Sequence, residues 1–192
     1  RRTEISLEAG GIDIEDLIPV EDVMISMTHQ GYIKRISTNE YKAQNRGGMG
    51  SKGSASRDED FIEHIYPASM HSTMMFFTQK GRCYWLKVYE IPEGSKTSKG
   101  RAIQNLLNIE SDDAVTAFIR VKQLQDPEFN MNHYLLFCTK DGIIKKTRLE
   151  AYSRPRQNGV NAIIIRENDK VIQVRLTNGT NEVIIANKNG RA

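Results

Sequence analysis

The chain has 192 residues, of which 39% are hydrophobic and 27% are charged, and its formal net charge is +3. It can bury a substantial core, but no stretch approaches the roughly 20 consecutive apolar residues of a membrane-spanning helix, so we expect no membrane partner. Residues 1–4 lack the apolar stretch of a secretory signal, which favours a cytoplasmic protein whose two cysteines stay reduced.

The predicted elements repeat along the chain: an apolar run, a Thr, two polar residues, a Gly and then a basic strand. The copies span residues 24–34, 74–84 and 135–145, and a fourth begins at residue 183. A period near 50 residues with several short strands per unit is typical of propeller-like blades. We therefore predict an all-β protein with about three blades, the start of a fourth, little helix and an open sheet edge. Thr28, Thr78 and Thr139 should hold equivalent positions in the blades.

Each unit continues with a Gly-bearing loop and then an Asp shortly before another apolar strand. The loops are residues 47–50, 98–101 and 157–160, and the aspartates are Asp60, Asp113 and Asp169. One unit is longer than the others, and a polar insertion at residues 122–133 accounts for the difference.

Charge alternates in phase with the repeat. The turn-and-loop halves, residues 28–57, 78–101 and 139–156, carry net charges of +5, +4 and +4, and the segments before them are acidic. One basic cluster alone is most often a solvated surface, but equivalent positions in a radial array fall on equivalent faces. Three clusters in register therefore predict a basic rim, which suits duplex DNA because Lys and Arg displace its condensed counterions regardless of sequence.

The most specific motif is the loop Gln44-Asn45-Arg46-Gly47-Gly48-Met49-Gly50. Its glycines allow backbone N–H groups to approach phosphate oxygens closely, and Arg46, Lys42 and Lys52 supply positive charge. The glycines at 48, 50 and 53 also match a dinucleotide fingerprint, but a strand rather than a helix is predicted to follow, so we expect no nucleotide site.

The segment from Thr28 to Arg35, taken with this loop, resembles the C-terminal domain of the DNA gyrase A subunit, and the resemblance covers essentially the whole chain. It implies a β-pinwheel, a propeller-like disc of four-stranded blades that exchange strands with their neighbours. Residues 1–11 are similar to the linker that leaves the cleavage core, which makes residues 12–192 a partial pinwheel. The loop 44–50 is similar to the gyrase A-box, although Asn45 stands where the family usually has Arg.

The resemblance implies a non-catalytic role in a type IIA topoisomerase. The domain would bind, bend and wrap double-stranded DNA for negative supercoiling, in a nucleoid-associated A2B2 assembly with the A-subunit core and the B subunit. No cofactor is expected in this segment, because ATP and Mg²⁺ act elsewhere in the parent enzyme. No catalytic or metal-binding residue is predicted either, since the histidines lack Cys or carboxylate partners at ligand spacing.

The candidate DNA contacts are the box loop and the cations of the basic halves. They are Gln44, Asn45, Arg46, Gly47, Gly48, Met49, Gly50, Lys34, Arg35, Lys42, Lys52, Lys99, Arg101, Lys145, Lys146, Arg154 and Arg156. Two alternatives stay open. One is the C-terminal domain of the topoisomerase IV A subunit, which has a degenerate box, and the other is a protein-binding propeller, which should carry aromatic and Arg anchors instead of a basic rim.

Overall fold

The computed structural model describes residues 14–40, 60–122 and 124–186. The predicted linker at residues 1–11 lies outside this part of the chain, as do the box loop at residues 44–50 and the neighbouring Lys42 and Lys52. The described residues contain eleven strands. They are β1 (Asp22–Thr28), β2 (Tyr32–Ser37), β3 (Ile62–Ser69), β4 (Thr73–Thr78), β5 (Arg82–Lys87), β6 (Arg101–Ala102), β7 (Val115–Val121), β8 (Tyr134–Thr139), β9 (Ile144–Arg148), β10 (Val160–Asn161) and β11 (Val171–Thr177).

The strands form three antiparallel sheets, which we call blades 1, 2 and 3. Blade 1 has the strand order β3-β1-β2-β6, blade 2 has β10-β5-β4-β7 and blade 3 has β11-β8-β9. The predicted all-β class is confirmed. Blades 1 and 2 have four strands each, and the predicted open edge lies at β9, which pairs with β8 alone in the described part of the chain.

Helical structure is short in the described residues. Five 3-10 turns lie at Ile14–Leu17, Thr38–Glu40, Val88–Glu90, Ile103–Asn105 and Leu149–Tyr152. One α-helix, α1 (Pro127–Asn132), occupies the predicted polar insertion, and the Asp126 carboxylate caps it by accepting hydrogen bonds from the amides of Glu128 and Phe129. The Asp126 cap satisfies amides at the start of this short helix, so the insertion adds to blade 3 without interrupting a sheet.

The core lies between the blades, and β4 supplies both halves of it. All six residues of β4 are buried. Met74 and Phe76 pack in the cluster that joins blades 1 and 2, whereas Met75 and Phe77 pack in the cluster that joins blades 2 and 3. Successive side chains on a strand point to opposite faces, so a strand with blades on both sides must be apolar throughout. This explains why the second copy of the repeat opens with a continuous apolar run.

The Thr-x-x-Gly turns of the three blades share one hydrogen-bond pattern. In each turn the Gly amide donates to the Thr carbonyl, and the Thr hydroxyl accepts from the amide four residues ahead. The hydroxyl pairs are Thr28–Tyr32 at 3.2 Å, Thr78–Arg82 at 3.2 Å and Thr139–Ile143 at 3.1 Å. The predicted equivalence of Thr28, Thr78 and Thr139 is confirmed.

The recurring Asp fastens the returning strand to the same turn. In each blade its carboxylate accepts a hydrogen bond from the amide two residues after the Thr. The pairs are Asp60–Gln30 at 3.1 Å, Asp113–Lys80 at 3.1 Å and Asp169–Asp141 at 3.0 Å. The Asp that the sequence shows ahead of each apolar strand is therefore a structural ligand of the turn, because a carboxylate there satisfies an amide that the hairpin leaves unpaired.

The turn glycines have the same backbone conformation but different surroundings. Gly81 and Gly142 have φ values of +83° and +85°, a region that side chains disfavour. A Cβ on Gly81 would collide with the Ile163 carbonyl, whereas a Cβ on Gly142 would meet nothing within 4 Å. The difference arises because blade 3 packs its chain against the turn of blade 2.

This pair makes a matched test of the packing between blades. We expect Gly142→Ala to lower the free energy of unfolding by about 1 kcal/mol, the cost of the left-handed backbone alone. Gly81→Ala should cost about 3 kcal/mol, because the carbonyl of the next blade must also move. Urea denaturation of both variants measures the two values, and equal losses would contradict the proposed interblade contact.

Candidate nucleic-acid interface

The basic loops lie at the junctions between blades, because each loop ends in a strand that pairs with the preceding blade. β6 follows the blade 2 loop and pairs with β2, and β10 follows the blade 3 loop and pairs with β5. The residue that precedes each exchanged strand is a glycine with positive φ, Gly100 at +83° and Gly159 at +68°. A Cβ at Gly100 would lie 2.6 Å from the Ile33 carbonyl oxygen, and one at Gly159 would lie 2.8 Å from that of Cys83. Only glycine permits this close approach.

Most of the predicted cations in the described residues face solvent. Those with exposed side chains are Lys99, Arg101, Lys145, Lys146, Arg154 and Arg156. None of the six forms an ion pair with a carboxylate within the described ranges. Arg101 lies in the exchanged strand between blades 1 and 2, and Arg154 and Arg156 lie in the loop that leads to the strand between blades 2 and 3. The structure thus brings exposed positive charge to two successive junctions.

Aromatic rings position two of these lysines. Lys99 Nζ lies 3.8 Å from the ring centroid of Tyr32, so a cation of the blade 2 loop rests on a strand of blade 1. Lys146 Nζ lies 4.3 Å from the ring centroid of Tyr134 within blade 3. The face of an aromatic ring attracts a cation. Both ammonium groups are therefore held in place without a carboxylate partner among the described residues.

Lys34 and Arg35 are corrections to the predicted set. Lys34 is 3% exposed, and its ammonium donates to three backbone carbonyls of the blade 2 loop. Arg35 donates from Nε to the Ile91 carbonyl at 2.7 Å and pairs with Glu93 at 3.2 Å, with 16% of its side chain exposed. Both cations face the protein because the next blade's loop covers β2, so we remove Lys34 from the candidate DNA contacts and regard Arg35 as mainly structural.

One cation that the sequence analysis did not single out joins the exposed set. Arg148 ends β9, is exposed and has no carboxylate partner in the described residues. It lies two residues from Lys146, so both side chains leave the same face of the strand. That spacing in the sequence is the signal that would have identified Arg148.

Lys80, in the Thr-x-x-Gly turn of blade 2, pairs with two carboxylates. Lys80 lies 2.9 Å from Glu110 and 2.6 Å from Asp112. The hydrogen bonds that Lys80 donates to these carboxylates raise the pKa of Lys80. The bond to Asp112 also lowers the pKa of that carboxyl. Lys80 is therefore neutralised locally although it belongs to a basic half of the repeat.

Among the described residues, no three His, Cys, Asp or Glu side chains come together as a metal site. The helices of the same residues are too short to span a membrane.

Blade 3 anchors its own exchanged strand through one carbonyl. The Ala162 oxygen, directly after β10, accepts hydrogen bonds from Tyr152 Oη at 3.2 Å and from Lys145 Nζ at 2.7 Å. Tyr152 is 3% exposed, and this burial raises the pKa of its phenol to about 12. Burial penalises the phenolate, so the hydroxyl stays a hydrogen-bond donor above about pH 10, where an ordinary tyrosine ionises.

Comparison with known proteins identifies the blades as members of one family. A sequence model for the family described as DNA gyrase C-terminal domain, beta-propeller, matches residues 22–69, 72–122 and 133–178. Each matched segment contains the three long strands of one blade. The repeat boundaries given by the hydrogen-bond pattern therefore coincide with those of the family model.

Two curated relatives align along the whole chain. The DNA gyrase A subunit of Halalkalibacterium halodurans is 45% identical over 192 residues, which is 100% of this chain and 22% of the relative. The DNA gyrase A subunit of Aeromonas salmonicida is 41% identical over 191 residues, 100% of this chain and 20% of the relative. The chain thus spans about a fifth of the length of these relatives.

Two solved structures have the same fold. The C-terminal domain of DNA topoisomerase IV superposes with a TM-score of 0.69 at 30% identity, covering 85% of this chain and 48% of that one. The DNA gyrase A C-terminal domain superposes with a TM-score of 0.61 at 25% identity, covering 82% of this chain and 48% of that one. Each of those domains is about twice as long as the matched part of this chain.

The raised pKa of Tyr152 predicts a pH dependence of stability. The folded-state pKa of about 12 exceeds the ordinary value of about 10, so the stability of the wild-type chain should fall as pH rises from about 10 to about 12. Tyr152→Phe has no phenol to ionise, so the stability advantage of wild type over this variant should shrink by about 1–2 kcal/mol across that window. Urea unfolding of both proteins at about pH 9 and 11 measures the change. A constant difference would contradict the assigned burial.

Proposed function

Because this chain belongs to the DNA gyrase C-terminal domain family, we propose that it binds double-stranded DNA without reading its sequence and bends it along the rim of its blades. The single observation that carries the proposal is the set of exposed, unneutralised cations at successive blade junctions. Arg101 lies at the first junction, Arg154 and Arg156 lie at the second, and Lys146 and Arg148 lie on β9 beyond it. Duplex DNA carries phosphate charge along its whole length, so a series of separated cations matches it better than one pocket would.

Bending follows from the radial arrangement of blades that the family description, a beta-propeller, implies. A straight duplex touches neighbouring blades at few points, so contacts at several junctions require the DNA to curve. Bending a site of about 20–30 bp by tens of degrees costs on the order of 1–6 kcal/mol, which several phosphate contacts must offset. The box loop at residues 44–50 would bind first, and later blades would add contacts as the duplex bends.

In the parent protein this domain would act together with parts that the chain does not contain. We propose that it wraps DNA for negative supercoiling by an ATP- and Mg²⁺-dependent gyrase, assembled from two A and two B subunits in the cytoplasm. The wrapped segment would present the adjoining DNA to the A-subunit core with a single handedness. The curated relatives, both named as gyrase A subunits, support gyrase over the topoisomerase IV alternative.

Direct DNA binding can be tested on the purified chain. Affinity for a short linear duplex should not depend on its sequence and should fall with salt, with a log–log slope of roughly −0.9 per phosphate neutralised. Arg101→Glu combined with Arg156→Glu should weaken binding at least tenfold and make the slope shallower by about two contacts. Fluorescence anisotropy across a salt series gives both quantities.

Lys170→Glu is the control for charge reversal at a single site, since Lys170 is exposed but belongs to the returning half of blade 3. Its affinity should remain within about twofold of wild type because it contacts no phosphate. If the double variant binds DNA as tightly as wild type, the rim does not carry the DNA. Retention of a protein partner by the same variant would then favour the protein-binding alternative.

Wrapping is tested separately in the assembled enzyme. Replacing residues 44–50 with alanines in the full-length A chain should abolish the introduction of negative supercoils while leaving relaxation and decatenation largely intact. The expected reason is that strand passage needs the cleavage core, whereas the direction of passage needs wrapped DNA. The measurement is agarose electrophoresis of relaxed plasmid incubated with ATP. Supercoiling at the wild-type rate would show that the box loop is not the wrapping anchor.

A further inference from the structure

The blade 2 loop, defined as Gly94–Gly100, occupies the same position in the repeat as the box loop of blade 1. Both follow a basic strand and precede the aspartate of the returning half. The blade 2 loop has the composition Gly-Ser-Lys-Thr-Ser-Lys-Gly, and Arg101 follows it directly. It lies against β2 of blade 1, where Lys34 contacts it.

Lys34 holds this loop through three hydrogen bonds. Its Nζ donates to the carbonyl oxygens of Ser95 at 2.9 Å, Lys96 at 3.1 Å and Ser98 at 2.6 Å. An ammonium group has three donors, so this geometry uses all of them on one loop. Burial lowers the pKa of Lys34, and the attraction of Glu40 opposes that shift.

The inward carbonyls determine which way the loop presents its amides. A trans peptide is planar, so an amide N–H points away from the carbonyl of the preceding residue. With the carbonyls of Ser95, Lys96 and Ser98 directed at Lys34, the next amides, those of Lys96, Thr97 and Lys99, are directed away from it. Thr97 and Lys99 are exposed, so this outer side of the loop combines N–H groups with positive charge.

The Lys99 backbone is fixed most closely. Its amide belongs to the peptide whose carbonyl makes the shortest bond to Lys34, 2.6 Å, and Gly100 beside it lies against Ile33. The Lys99 ammonium rests over Tyr32. Lys34, Tyr32 and β2 of blade 1 together therefore determine where a cation of blade 2 lies.

The fold itself does not require a lysine at this position. Tyr84 is the equivalent residue in blade 2, and its ring fills the corresponding space, where a Cβ on Gly159 would lie 2.7 Å from it. Burying an ammonium is costly, and lysines are rarely buried without a specific set of partners. Because a tyrosine packs the junction between blades 2 and 3, the junction between blades 1 and 2 does not need a lysine for packing. The charge of Lys34 therefore serves to hold the blade 2 loop.

We propose that Lys34 is a positioning residue that orders the blade 2 loop for binding a DNA phosphate through Lys99 and the outward amides. The inference rests on the proposed DNA-binding function. In the complex, Lys34 does not touch DNA. It makes the loop of blade 2 an ordered phosphate site at the position in the repeat that the box loop holds in blade 1.

The first test replaces the ammonium and keeps the stem. Lys34→Met should weaken binding to a short linear duplex by about three- to tenfold and make the salt slope shallower by about one contact. Lys170→Met is the control, because it removes the same charge from an exposed site outside the rim. Amide hydrogen exchange of Ser98, whose N–H donates to the Ser95 carbonyl, should rise in Lys34→Met and stay unchanged in the control.

A double-mutant cycle separates positioning from direct contact and from general destabilisation. If Lys34 acts through Lys99, Lys34→Met should have a much smaller effect on DNA affinity in a Lys99→Ala background than in wild type. If Lys34 touched DNA itself, or if its loss weakened the whole domain, the two effects would add. Additivity would therefore overturn the proposal.

A second variant decides the matter if Lys34→Met does not fold. Gly100 has a φ of +83°, and a Cβ on it would lie 2.6 Å from the Ile33 carbonyl oxygen, so Gly100→Ala displaces the loop and leaves the lysine in place. It should weaken DNA binding as Lys34→Met does, and wild-type affinity would overturn the proposal. If wild type itself shows no salt-dependent DNA binding, the proposed function fails. If wild type binds and Lys34→Met and Gly100→Ala bind equally well, only the positioning role fails.

Discussion

Strand exchange between blades is the constraint on which the rest of this structure depends. A strand at the edge of a sheet has unpaired N–H and C=O groups, and β2 and β5 satisfy theirs with short strands taken from the following unit. Those strands have two residues each, so they can reach their places only if the loops before them cross the junction. The exchange thus carries each basic loop onto the neighbouring blade. β9, without such a partner in the described residues, is exposed over most of its length.

The same exchange separates the core from the binding surface. Apolar residues of β4 face blades 1 and 3 on its two sides, so the interior is a series of contacts between blades rather than one central cluster. The loops contribute little to that interior, apart from residues such as Ile91 and Ile103 at their ends. Their remaining positions are therefore available for charge. A radial array with this division can present many similar weak contacts, which suits a long uniform polyanion.

Residues of the same type have different roles according to which blade covers them. Lys34 and Arg35 are adjacent to the turn in blade 1, and Lys145 and Lys146 hold the equivalent places in blade 3. In the first pair, Lys34 bonds to carbonyls of the blade 2 loop, and Arg35 bonds to the Ile91 carbonyl that precedes this loop. The second pair is exposed, although Lys145 donates to the Ala162 carbonyl of its own blade. Cations at equivalent positions of the repeat therefore become either structural or surface cations, depending on how the neighbouring blade packs.

The sequence by itself determined the all-β class, the period of the blades and the equivalence of Thr28, Thr78 and Thr139. These are local properties, since a Thr-x-x-Gly turn and an alternating strand depend on a few consecutive residues. It also located the basic halves, because net charge is a sum over a segment. Only the tertiary structure decided that Lys34 is buried, that Asp113 binds a turn amide and that Lys99 rests on Tyr32. Each of these contacts joins residues more than 30 positions apart. Pairing of β4 with β7 brings Asp113 to its turn, and strand exchange between blades brings the blade 2 loop to Lys34 and Tyr32.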